Sequence, residues 1–177
     1  MRTKDRTTLT QAAAAVQTLR GFIGPSQLNA IGDCCRGEER EWFKAKLVEM
    51  AGIVSTMPKT YEQDGLGENA VAHLHYFTSS YDFHITERDS DQDGEGQIQA
   101  FGFANLGYGP ELGYISIKEI IEAGAELDLH WKPITLAEIR KAAECPECNA
   151  EPTGPIPSYC RKHDGDYGDW LVFNNID

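Results

Sequence analysis

The sequence lacks long hydrophobic runs and the short motifs that mark the common enzyme classes. No apolar stretch approaches the roughly 18 residues that a membrane-spanning helix needs, so we predict no transmembrane segment. The chain contains no Gly-x-Ser-x-Gly, no Walker phosphate loop, no dinucleotide fingerprint and no His-Glu-x-x-His. These absences make an enzyme less expected than a binding protein.

Positive charge is also scarce. The chain has 16 Lys and Arg against 28 Asp and Glu, for a formal net charge of −12. Residues 1–62 carry nine basic and seven acidic side chains, whereas residues 63–177 carry seven and twenty-one, a net of −14. An acidic body of this kind repels phosphate backbones and attracts basic protein surfaces. The alternative is that the acidic residues serve solubility alone.

The N-terminus has no convincing export signal. Met1–Arg6 is basic, but the following Leu9–Leu19 contains Gln11, Gln17 and Thr18 and is a poor hydrophobic segment for a signal peptide. We therefore expect a cytoplasmic protein. In a reducing cytoplasm, cysteine clusters are more often metal ligands than disulfides.

Two ligand pairs stand near the C-terminus. Cys145 and Cys148 have two residues between them, as do Cys160 and His163, and eleven residues separate the pairs. This spacing is typical of a tetrahedral zinc site in which protein ligands fill every position. We predict a structural zinc ion that staples the polar tail, residues 141–177, and no catalytic role for it. Surface thiols, or a disulfide with one spare cysteine, are the alternatives.

The first third of the chain has the periodicity of helices. We predict one helix capped by Thr10 and ending at Arg20, a short segment capped by Ser26, and a long helix from Glu38 to about Thr56. Apolar residues on the long helix recur at steps of three and four, at Phe43, Leu47, Met50, Val54 and Met57. The turn-rich stretch 58–69 then marks the best boundary between regions.

Beyond this boundary the periodicity changes to two. A hairpin is predicted around Ser79 and Ser80, whose two-residue turn would place His75 opposite His84. Further strands are expected at Gln97–Leu106 and Leu112–Ile115, followed by a last strand-like segment through Trp131.

Two capping boxes indicate short helices near the end of this region. Ser116 with Glu119 opens one, and Thr135 with Glu138 opens the other. The predicted fold class is α+β: a small antiparallel sheet with flanking helices, an N-terminal helical region and a C-terminal zinc knuckle. The corresponding regions are residues 1–62, 63–140 and 141–177.

Three histidines of the hairpin suggest a second site. His73, His75 and His84 could hold a catalytic metal with an open coordination position, and Asp82 or Glu87 could act as a base. The alternative is that these histidines are polar residues whose rings pack on the sheet.

Several segments of the sheet region carry a resemblance, and the most distinctive is the Glu-Leu-Gly-Tyr-Ile-Ser run. They are Leu74–Thr78, Asp82–Asp89, Gln99–Phe103, Glu111–Ile120, Ala125–Pro133 and Leu136–Ile139. Over about residues 70–140 the chain resembles an uncharacterised domain family of small bacterial proteins. Members of this family are carried on plasmids, integrative elements and phages. The resemblance implies an accessory role for a mobile element in a bacterial cytoplasm, and it supplies no catalytic residues.

Three functions follow as hypotheses. The first is a non-enzymatic acidic protein of a mobile genetic element that binds and inhibits a host or defence protein with a basic surface, with DNA mimicry as one mode of inhibition. The second is a nucleic-acid-binding zinc knuckle, which has only Arg161 and Lys162 as basic residues and several acids beside them. The third is a metal-dependent hydrolase built on the histidine hairpin.

Overall fold

The computed structural model describes residues 7–91, 96–107 and 110–143, together with the backbone of two short strands at 159–160 and 165–166. The helices in these ranges are α1 (Leu9–Leu19), α2 (Pro25–Cys34), α3 (Arg40–Thr56), α4 (Ile117–Glu122) and α5 (Leu136–Ala143). The strands are β1 (Val71–Ala72), β2 (Leu74–Phe77), β3 (Asp82–Glu87), β4 (Ala100–Asn105), β5 (Pro110–Ile115), β6 (Glu126–Leu127), β7 (Ile134–Thr135), β8 (Tyr159–Cys160) and β9 (Gly165–Asp166).

The N-terminal helices begin slightly away from the predicted caps. Thr8, and not Thr10, caps α1, because the side chain of Gln11 lies at the correct distance to complete a capping box with it. Helix α2 begins at Pro25 behind Gly24, and not at Ser26. Proline fits the first helical position because its missing N–H has no partner there in any case.

The apolar stripe of α3 is confirmed. Leu47, Met50, Val54 and Met57 are buried, and Phe43 packs against them while half-buried. The helix starts at Arg40, two residues later than predicted. Together with α1, α3 forms the layer that covers one face of the sheet.

The central sheet has five antiparallel strands in the order β5-β4-β3-β2-β6. The predicted hairpin register is confirmed, since His75 lies opposite His84 and Leu74 opposite Ile85. The α+β class with an antiparallel sheet and flanking helices is therefore correct. Strand β4 is shorter than predicted, and β6 ends at Leu127 without reaching Trp131.

One face of the sheet packs against the helices in a single hydrophobic core. Leu74, Tyr76 and Ile85 from the sheet share this core with Leu19 and Met50 from the helices. The buried Tyr76 hydroxyl donates a 2.7 Å hydrogen bond to the carbonyl oxygen of Phe22, which ties the two layers together. Helices and sheet thus share one core, whereas the division at residue 62 as a domain boundary stays a prediction.

The opposite face is covered in part by the segment that contains Trp131 and α5. This second core cluster consists of Ala70, Ala72, Phe103, Trp131, Leu136 and Ile139. Both predicted helix starts are confirmed: Ser116 caps α4 by accepting a hydrogen bond from the Glu119 N–H, and Thr135 and Glu138 exchange the two hydrogen bonds of a full capping box at α5. Within the described residues, this cover leaves Leu112 and Tyr114 of β5 exposed.

The predicted zinc ligands lie largely outside the described residues. This holds for Cys145, Cys148 and His163, while Cys160 is described only through its backbone, which pairs with Gly165 across β8 and β9. Among the described residues, no helix is long and apolar enough to cross a membrane.

Candidate functional site

The histidine hairpin forms a charged cluster on the partly covered face of the sheet. The two ring nitrogens of His75 contact different carboxylates: Nε2 lies 2.9 Å from Asp82 Oδ1, and Nδ1 lies 3.1 Å from Asp128 Oδ2. All three side chains are largely shielded from solvent. A ring that faces a carboxylate at both nitrogens is best satisfied as the doubly protonated imidazolium.

The electrostatics of the cluster agree with this protonation state. Burial alone would lower the pKa of His75, but the hydrogen bonds to Asp128 and Asp82, with their negative charges, raise it above its usual value. Burial would likewise raise the pKa of Asp128, yet its hydrogen bonds from His75 and from the His130 N–H hold it below the usual range. His75 therefore forms ion pairs with the carboxylates of Asp82 and Asp128.

His84, in contrast to the protonated His75, is a neutral ring. Its ring stacks on that of His75 with centroids 4.6 Å apart and an angle of 14° between the planes. Burial, and then the positive charge of His75, place the pKa of His84 well below its usual value, so this ring is neutral. Its Nδ1 is shielded from solvent and has no hydrogen-bond partner within the described part of the chain, and the Trp131 ring packs against both imidazoles.

The three histidines do not form the predicted metal-ligand set. Both nitrogens of His75 are committed to carboxylates, and within the described ranges no group of three or more His, Cys, Asp and Glu is placed to hold a metal ion. His73 lies before β2 and is absent from the stacked cluster. The geometry therefore fits the alternative, in which histidine rings pack as part of the structure.

Both proposed bases also have structural roles. Asp82 is bound to His75, as described above. Glu87 is buried and accepts hydrogen bonds from the backbone N–H groups of Tyr61 and Gln63. A carboxylate used in this way fixes the loop that follows α3 against the sheet and has little freedom to serve as a base.

A different surface lies at the β5 edge of the same sheet face. Strand β5 pairs with β4 on one side and, among the described residues, with no strand on the other. Its residues Leu112 and Tyr114 point to the face that α5 only partly covers, and they remain 45% and 59% exposed. With Tyr61 they form what we call the edge strip, defined by Tyr61, Leu112 and Tyr114.

Asp64 and Glu87 place negative charge beside Tyr114 of the edge strip. The hydroxyls of Tyr61 and Tyr114 are 3.0 Å apart, which holds the loop after α3 beside β5. The hydrogen bond with Tyr61, followed by partial burial and by negative neighbours that include Asp64 and Glu87, raises the pKa of Tyr114. Exposed acids near the strip in sequence are Glu62, Asp64 and Glu68 on the loop and Glu111 on β5. The strip is thus an exposed apolar surface with negative charge beside Tyr114.

Sequence reasoning missed two parts of these sites. Asp128 is 53 residues from His75, and no local pattern links them. The pairing of Tyr61 with Tyr114 spans the same number of residues and depends on the path of the loop across the sheet. The alternation of Leu112 and Tyr114 was the available signal for β5, but alternation does not say which strand lies at an edge.

Comparison with family models, with curated proteins and with solved structures finds no match to this chain. The resemblance to a mobile-element family therefore stays a prediction, and function must be argued from the residues themselves.

Proposed function

We propose that the chain is a non-enzymatic acidic binding protein whose partner is a protein with a basic surface. The observation that carries the proposal is the edge strip, an exposed apolar surface with Asp64 and Glu87 beside it, at a sheet edge that no other described strand covers. Apolar side chains supply affinity when they are buried, while surrounding charge selects the partner and steers its approach. The resemblance adds the expectation that the partner is a host or defence protein of a bacterium and that binding inhibits it.

The distribution of charge supports this class of partner. Residues 63–177 carry a net charge of −14, and Leu112 and Tyr114 of the edge strip belong to this part of the chain. A nucleic-acid backbone would be repelled by it, which makes sequence-independent nucleic-acid binding through this surface unfavourable. The histidine cluster supports a non-enzymatic role, because its acids and its imidazolium are bound to one another.

The proposal predicts salt-dependent capture of basic proteins. Purified protein immobilised at about 50 mM salt should retain basic proteins from a bacterial lysate and release them by about 500 mM, because screening shortens the reach of the acidic surface. Mass spectrometry would identify the released proteins. Retention that does not respond to salt, or that yields no basic protein, would argue against this function, as would a mobility shift with DNA or RNA.

We also propose that a structural zinc ion is held by Cys145, Cys148, Cys160 and His163. Thiolates and an imidazole are the donors that zinc prefers, and two closely spaced pairs suit a tetrahedral shell. The ion would supply a fixed cross-link between the two pairs of ligands. Such an ion stabilises the segment that it binds, because the site does not exist in the unfolded chain.

Removal of the metal should therefore affect the tail alone. Protein purified without added metal is expected to contain one equivalent of zinc, and Cys148→Ser should lose it. Chelation should increase amide exchange beyond residue 141 and leave the sheet of residues 70–140 protected. Cys34→Ser is a matched control, since Cys34 is a half-buried thiol on α2. Zinc-free wild-type protein, or undiminished zinc in Cys148→Ser, would disprove the site.

A further inference from the structure

We propose that the open edge of β5 binds an extended segment of the partner, in which apolar and basic residues alternate, as an additional strand. This inference rests on the proposed function and names the segment that the edge strip recognises. Strand addition uses backbone hydrogen bonds for affinity and alternate side chains for selectivity. The following features of β5 favour this mode.

Among the residues that the structure describes, no strand pairs with the outer side of β5 over its whole length. The strand runs from Pro110 to Ile115, and each of its six residues pairs with β4. The opposite sheet edge, β6, has two residues and so presents a much shorter template. An edge strand presents unpaired N–H and C=O groups at alternate positions, which is the template that an incoming strand requires.

The side chains of β5 divide into two different faces. Leu112 and Tyr114 lie on one face with Tyr61, whereas Glu111 and Gly113 lie on the other. Within the described part of the chain, no non-neighbouring atom lies within 4 Å of where a Cβ on Gly113 would stand. An incoming strand could therefore place apolar side chains beside Leu112 and Tyr114. Its long side chains on the other face could extend across Gly113 toward Glu111.

Charge selects a basic segment over a neutral or acidic one. Glu111 is exposed on β5 itself, and Asp64 contributes negative charge at Tyr114. The nearby Arg140 is already engaged, because its Nε lies 2.9 Å from Glu68 and its guanidinium stacks over Phe103. Lysine or arginine on the Gly113 face of the incoming strand would meet Glu111, and the charge of Asp64 at Tyr114 disfavours an acidic segment.

The test uses synthetic peptides and the full chain. A peptide of four alternating Lys-Val units should bind, as measured by fluorescence anisotropy. A peptide of the same composition with its lysines and valines in separate blocks should bind much more weakly, since it cannot place one type of side chain on each face. An alternating Glu-Val peptide should not bind. Amide exchange should slow at β5 when the first peptide is added.

Two exposed acids on the two edges provide a matched pair of variants. Glu111→Lys should weaken binding of the alternating Lys-Val peptide about tenfold, whereas Glu126→Lys on β6 should change it by less than about twofold. Leu112→Ser should weaken it to a similar extent, and Leu9→Ser, an exposed leucine on α1, should not. Thermal unfolding would verify that all four variants remain folded.

Other outcomes would overturn the inference. Equal losses in Glu111→Lys and Glu126→Lys would show attraction to net charge without use of the edge. Slow exchange at β5 before any peptide is added, together with no peptide binding, would show that the edge is filled by the chain's own tail or by a second copy. If peptide binding fails while salt-dependent capture of a basic protein persists, the inference that the partner adds a strand to β5 is wrong and the proposed function stands. If both fail, the proposed function fails with it.

Discussion

Gly102→Ala should destabilise the protein strongly, by about 3 kcal/mol or more in the free energy of unfolding. A Cβ on Gly102 would stand 2.0 Å from the carbonyl oxygen of His84 on the neighbouring strand. The obstacle is backbone, so it cannot rotate away, and β3 and β4 would have to separate. They would do so beside the register irregularity between Ile85 and Glu87, at the centre of the sheet.

Gly113→Ala is the matched control, because Gly113 lies directly opposite Gly102 on β5. Open space surrounds the position of its Cβ within the described structure, so the change should alter stability by less than about 1 kcal/mol. Urea unfolding of the two variants beside the wild type would compare them. Similar losses in both would contradict the close approach of β3 and β4.

Trp131→Ala should have the second large effect and lower the free energy of unfolding by about 3–5 kcal/mol. Trp131 is 6% exposed, packs in the core that contains Phe103 and Leu136, and donates a 3.1 Å hydrogen bond to the Ala72 carbonyl oxygen. Its removal would leave a cavity and an unsatisfied acceptor. It would also admit water to the neutral ring of His84.

Trp42→Ala provides the comparison on α3. Trp42 is 40% exposed and makes its ring contacts with Phe43 and His130 at the surface. We expect Trp42→Ala to lower the free energy of unfolding by about 1 kcal/mol. The loss is smaller than for Trp131→Ala because folding removes less of the apolar surface of Trp42 from water. Denaturant unfolding followed by circular dichroism measures both variants without relying on tryptophan fluorescence. A larger loss in Trp42→Ala than in Trp131→Ala would contradict the assigned second core.

The features that depend on neighbouring residues could be predicted from the sequence. The two-residue turn at Ser79 and Ser80 fixes which residues face one another, and so His75 lies opposite His84 as expected. The caps at Ser116 and Thr135 likewise depend on a partner three residues away. The α1 cap differs from the prediction because Thr8 and Thr10 are both suitable capping residues, and the hydrogen bonds with Gln11 favour Thr8.

The features that depend on distant residues could not be predicted. Asp128 contacts His75 from the turn after β6. Because Asp82 contacts the other ring nitrogen, His75 is an imidazolium between two carboxylates and not the metal ligand that the sequence suggests. The segment through Trp131 alternates like a strand, yet Trp131 fills the second core. The edge position of β5 follows from the order of all five strands, which local alternation does not encode.

The central claim is that an acidic, partly apolar surface binds a basic protein. The most direct test is the dissociation constant for the captured partner, measured by calorimetry from about 50 to about 500 mM salt. The account predicts that affinity falls steadily as salt rises, and that Glu111→Lys weakens binding more than Glu126→Lys does. An affinity that is independent of salt and equal in both variants would contradict it.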